Sequence, residues 1–192
     1  MSKSAPGNLP PHATTAAPSV VSAGISPLER PIASGPQKMR WFWQIVGCLL
    51  VVQALLAVDC ARQWTPTHDE YWHLPIGLRM WKSGRFDDDV INPPPVRLWA
   101  AIPLALGGAN PGDIDSRLDV GDIGDAFWNA NSDRIRFWFL LGRLMIIPLA
   151  TVTGLAIVFW SRAWYGERAA LLSLALWTCC STVLANASIV TH

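Results

Sequence analysis

Between residues 67 and 73 the chain reads Thr67-His68-Asp69-Glu70-Tyr71-Trp72-His73, its densest run of side chains able to move a proton or hold a cation. Two adjacent carboxylates beside aromatic rings, which keep them near apolar surroundings, suit a general base or a divalent-cation ligand. The same run also suits a plain structural role, because acids in the first turn of a helix complement the positive end of its dipole. The histidines do not complete a zinc-protease pattern: Glu70 stands two positions after His68, and His73 is off the helical face of His68. The four cysteines, at 48, 60, 179 and 180, match neither a disulfide framework nor a paired-cysteine zinc site.

The elements that must position these residues belong to a membrane protein. Of the 192 residues 51% are apolar and 15% charged, too little polar surface to cover a soluble globule of this size. Eleven tryptophans fit the interfaces of a helical membrane protein, and a formal charge of +1 excludes a general affinity for nucleic acid. Three apolar runs approach the length that crosses a bilayer, 41–58, 137–160 and 169–190. Arg30, Lys38 and Arg40 precede the first, and Arg162 and Arg168 lie between the second and third, so these flanks are expected on the cytoplasmic side. Residues 1–38, rich in proline with Ser, Ala and Thr, read as a disordered cytoplasmic tail. The result is an all-α, multi-pass protein of the cell membrane with three transmembrane helices. Its large extracytoplasmic loop spans 59–135 and carries twelve acids against seven bases.

Within that loop the apolar spacing over 68–81 predicts a helix that Lys82-Ser83-Gly84 stops, provided it begins near Pro75 or bends there. Residues 96–106 are too short to span and predict an interfacial or re-entrant helix. The Gly and Asp content of 107–133 predicts a loop, and Asp87, Asp88 and Asp89 read as solvated. Arg143 lies six residues inside the second apolar run, roughly 9 Å along a helix, near the outer interface. It would either meet an anionic ligand there or snorkel to the headgroups. Arg97 and Lys82 have the same two readings, anion contact or solvated surface charge.

Asp69-Glu70-Tyr71-Trp72-His73, then Gly77, Trp81-Lys82-Ser83-Gly84-Arg85-Phe86 and Asn92-Pro93-Pro94-Pro95-Val96-Arg97-Leu98, resembles the first external loop of the GT-C membrane glycosyltransferases. The branch it resembles is that of protein O-mannosyltransferases and aminoarabinose transferases. Arg143, the Trp164-Tyr165-Gly166-Glu167-Arg168-Ala169-Ala170 turn and Ala185-Asn186-Ala187-Ser188-Ile189-Val190-Thr191 continue the resemblance. Asn92 and Pro95 depart from it, standing where the family has His or a Glu-Lys pair and Leu. Asn186 stands where His is common.

The resemblance implies the N-terminal part of a GT-C fold in a chain truncated after residue 192, which alone transfers no sugar. It implies a polyprenyl-phosphate-linked sugar as donor and a hydroxyl of a protein or glycan as acceptor. Asp69 would act on that hydroxyl, with Glu70 assisting it or binding a divalent cation together with Asp69. Arg143, Arg97 and Lys82 would contact the departing phosphate, and Tyr71 and Asn92 the substrate. Two other classes remain open on the sequence: a non-catalytic membrane interaction protein, and a transporter fragment with Arg143 on its path.

Overall fold

A computed structural model describes residues 36–113 and 119–190. The chain divides into two units, Met1–Ala33 and Ser34–His192, and every described residue belongs to the second. The expected disordered tail up to residue 35, Asp115, Arg117 and the chain end at His192 lie outside the described residues. The described residues form seven helices, in order α1 (Pro36–Gln63), α2 (His68–Ser83), α3 (Pro94–Gly107), α4 (Val120–Ala130), α5 (Ile135–Tyr165), α6 (Glu167–Cys179) and α7 (Ser181–Ala187). Among the described residues there is no strand.

Among the described residues two helices are long and apolar enough to cross a membrane, α1 over Arg40–Gln63 and α5 over Ile135–Tyr165. Both exceed the 41–58 and 137–160 runs that hydropathy marks, because their ends carry polar residues that hydropathy discounts but a helix tolerates. Val51, Leu55, Val152, Phe159 and Trp160 are exposed on them, as on helices solvated by hydrocarbon rather than water. Phe42 and Val46 of α1 pack on Val158 of α5 and on Ala170 and Leu174 of α6. Lower on the same seam Ala57 meets Ile147 and Ala187.

The third apolar run is not one helix. It is the pair α6 and α7, bent by 65° at Cys180, whose backbone is extended. Thr178-Cys179-Cys180-Ser181-Thr182 is a run of weak helix formers, two of them β-branched, and the helix breaks there although hydropathy continues. Counting the bent pair as one span gives three.

The remaining helices form a separate layer. The helix expected over 68–81 runs from His68 to Ser83 straight through Pro75, and Gly84 closes it at φ +69°, a left-handed conformation that a residue with a Cβ adopts only at a cost. Pro94 and Pro95 open α3, where the missing N–H groups would be unpaired in any case. Gly77 lets α2 and α3 touch: a Cβ there would lie 2.3 Å from the Arg97 carbonyl oxygen. Leu74 and Leu78 of α2 and Ala100, Ala101 and Leu104 of α3 join Phe127, Trp138 and Phe139 in the main core, which seats this layer on α5.

The expected loop over 107–133 contains α4. Ile123 and Phe127 recur one helical turn apart and are buried, while Gly121, Gly124 and three aspartates between 119 and 125 mask the pattern. Gly124 is needed for packing, since a Cβ there would fall 2.3 Å from the Tyr71 ring.

Candidate functional site

The start of α2 is built by a reciprocal cap. The Thr67 hydroxyl accepts from the Glu70 backbone N–H, while the Thr67 N–H donates to Glu70 Oε2 at 3.0 Å. Thr67, not Asp69, is therefore the cap, and the acid that completes it is Glu70.

Glu70 is also fully buried against Arg143, 73 residues away in α5. Arg143 Nε donates to Oε1 at 2.7 Å and Nη2 to Oε2 at 2.6 Å, a two-pronged pair. The remaining donors of Arg143 reach the carbonyls of Ala61 and Trp64, both at 2.8 Å, and of Thr65 at 3.0 Å. All five N–H groups of the guanidinium are thus used. The Val190 N–H adds a bond to Glu70 Oε1 at 3.0 Å. One carboxylate and one guanidinium tie together the end of α1, the start of α2, the first third of α5 and the segment after α7.

This geometry corrects both sequence readings of Arg143. It neither snorkels nor offers a free donor to a ligand, because α5 turns it inward, where Glu70 and three carbonyls receive it. A divalent cation does not fit here either. Glu70 directs its oxygens at Arg143, Thr67 and Val190, and among the described residues no three His, Cys, Asp or Glu side chains gather as a metal site.

Asp69 is the opposite case. One residue before Glu70, it is exposed and its carboxylate has no partner among the described residues. Beside it His68 rests edge-on against Trp72, ring centres 4.3 Å apart.

The other candidates lie apart from this node. The Tyr71 hydroxyl donates to Asp125 of α4; burial, then the bond and charge of Asp125, push its pKa up to about 12. Lys82 Nζ donates to the Ala105 carbonyl at 3.2 Å. Arg97 is buried, not solvated, and donates to Asp89 at 2.9 Å. Asn92 Nδ2 donates to the same carboxylate at 3.0 Å. Burial raises the Asp89 pKa, but the hydrogen bonds from Asn92, the Ile91 N–H and Arg97 outweigh it and hold the group at about 2.

Of the three aspartates expected in solvent, only Asp87 is exposed. Asp88 takes Arg79 at 3.0 Å in a pair with side chains 4% and 2% exposed. The 107–133 stretch contributes here too, since Arg79 also donates to the Asp113 carbonyl. Charge and spacing do not distinguish three consecutive aspartates; only the fold of α2 against α3 decides which two turn inward.

A cavity of about 320 Å³ opens beside the node, lined by residues 61–66 and by Arg136, Phe137, Phe139, Leu140 and Arg143 of α5. Sequence reasoning singled out neither Arg62 nor Arg136 there. The available signal was their position, each at the edge of an apolar run. No protein-family profile, curated protein or solved structure matches this chain.

Proposed function

We propose that this chain is part of a membrane glycosyltransferase of the GT-C type, moving a sugar from a polyprenyl-phosphate donor to a hydroxyl acceptor on the extracytoplasmic side. The observation that carries the reading is the contrast within the Asp69-Glu70 pair. Glu70 is consumed in anchoring α2, and Asp69 is left as an exposed carboxylate on that anchored turn. Membrane-capable helices on either side in sequence, which suit a lipid-linked donor, and the order of the motifs from Asp69 to Thr191 support it further.

In this mechanism the acceptor hydroxyl oxygen attacks the anomeric carbon of the donor. Asp69 takes the hydroxyl proton as the new C–O bond forms, and the old bond to the phosphate oxygen breaks, that oxygen leaving with the electron pair as polyprenyl phosphate. The anomeric centre inverts. Glu70 acts at one remove, as a positioning residue: it holds the backbone of α2 so that Asp69 stays at the surface.

The test is Asp69→Asn in the longest form of the chain the cell makes, assayed in membranes with polyprenyl-phosphate sugar and a hydroxyl acceptor. Loss of the base lowers turnover by roughly 10²- to 10⁴-fold. Near-normal turnover with normal membrane insertion disproves the assignment and favours the non-catalytic interaction protein. The topology is tested separately by membrane-impermeant thiol labelling in intact cells. A cysteine at position 115 labels and one at Ser4 does not; the reverse pattern puts Asp69 on the wrong side for this donor.

A further inference from the structure

The cavity between the end of α1 and the start of α5 has a charge pattern that the sugar-transfer reading does not use. Arg62 and Arg136 are exposed at it, and neither has an ion-pair or hydrogen-bond partner among the described residues. No acidic side chain belongs to its lining. Arg143 reaches the cavity, but Glu70 cancels its charge and its Nη groups cover the carbonyls of Ala61, Trp64 and Thr65. Those carbonyls belong to the last turn of α1 and the residues just after it, the negative end of the helix, which would otherwise repel an anion. The lining therefore presents two uncompensated guanidinium groups over a neutralised helix end.

Its other wall is apolar. Trp64 is 46% and Phe137 50% exposed, and Leu140 continues the wall along α5. Both α1 and α5 are long and apolar enough to cross a membrane, and the cavity lies where one ends and the other begins, at the level of lipid headgroups. Guanidinium forks match the oxygens of a phosphate, and amphipathic aromatic rings at this depth match the first carbons of an acyl or isoprenoid chain.

We infer that this cavity binds the phosphate of an anionic membrane lipid, clamped by Arg62 and Arg136 with Trp64 and Phe137 against the first carbons of its tail. The site stands apart from the transferase reading, which rests on Asp69, and its test uses no sugar.

The full chain, purified in an uncharged detergent, is titrated with short-chain phosphatidic acid and, separately, with inorganic phosphate. Phosphatidic acid binds, and a matching concentration of inorganic phosphate does not displace it. Arg62→Gln with Arg136→Gln weakens binding tenfold or more. Arg62→Lys with Arg136→Lys weakens it less, because lysine keeps the charge and loses the fork. Arg40→Gln with Arg168→Gln, an equal charge change at the starts of α1 and α6, leaves it unchanged.

Undiminished affinity in a monodisperse Arg62→Gln/Arg136→Gln protein overturns the inference. So does equal weakening by the Arg40→Gln/Arg168→Gln pair, which would make net charge the cause. Ready displacement by inorganic phosphate overturns the lipid as the ligand. Should the glutamine pair fail to fold, wild-type binding decides: it falls steeply between 50 and 500 mM salt, and salt-independent binding overturns the clamp.

Discussion

Three buried carboxylate–guanidinium pairs lie among the described residues, and two of them, Glu70–Arg143 and Asp89–Arg97, are built differently. Glu70–Arg143 joins residues 73 apart in sequence, and every guanidinium donor in it is used. Arg97–Asp89 joins residues eight apart, its acid is satisfied mostly by near neighbours, and Arg97 Nη1 is buried without a partner among the described residues. The first is a junction between membrane-capable helices and the loop layer. The second is a local brace under α3. A buried ion pair offsets its desolvation only when the remaining donors and acceptors are also met, and of these two only the first reaches that state. The lesson is that a charged residue inside an apolar helix need not face a ligand; Arg143 is spent on three carbonyls that the end of α1 and the turn after it leave open.

The comparison breaks most directly at Arg143. Arg143→Met leaves Glu70 buried with no counter-charge and is expected to cost about 3 to 5 kcal/mol, seen as loss of monodisperse protein on thermal unfolding in detergent. Adding Glu70→Gln to it recovers part of that loss, because the stranded charge is removed. A recovery of zero would mean that the two side chains do not act as one unit.

The local brace gives a smaller and pH-dependent effect. Asp89 ionises more easily folded than unfolded, so its stabilisation is complete above the ordinary value of 3.8 and is lost as pH falls through about 2. A shift of that size corresponds to about 2 kcal/mol. Asp89→Asn should lose about that much at neutral pH and flatten the acid limb of the stability curve between pH 4 and 2. An unchanged acid limb would transfer the pH dependence to other carboxyls.

Smaller still is the cap. Thr67→Ala removes the hydroxyl that accepts from the Glu70 N–H and should cost about 1 kcal/mol, whereas Asp69→Asn should lose only its favourable interaction with the helix dipole, about 0.3 kcal/mol at this exposed position, since Asp69 caps nothing. Equal losses in the two variants would give Asp69 a share of the capping role. Asp87→Asn sets the floor of the series: its pair with Arg85 has side chains 43% and 35% exposed, and the change should stay within about 0.5 kcal/mol.

Hydropathy and turn chemistry determined the helical class, the two unbroken membrane-capable helices and the end of α2, because apolar runs and Lys82-Ser83-Gly84 act through neighbours a few residues away. The same local reasoning foresaw a short helix after the proline run at 93–95. It failed at α4, where glycines and aspartates hide a two-residue apolar stripe, and at Cys180, where an apolar run continues across a break made by β-branched and small residues. The fate of each charge was decided only by tertiary structure. Asp69 and Glu70 are neighbours of the same class, yet one is exposed and the other fully buried, because α5 brings Arg143 to a single point on the first turn of α2. Asp87, Asp88 and Asp89 divide in the same way according to where Arg79 and Arg97 arrive. The apolar run around Arg143 marks it as a charge in need of a partner, but nothing within reach of local sequence points to Glu70, 73 residues away.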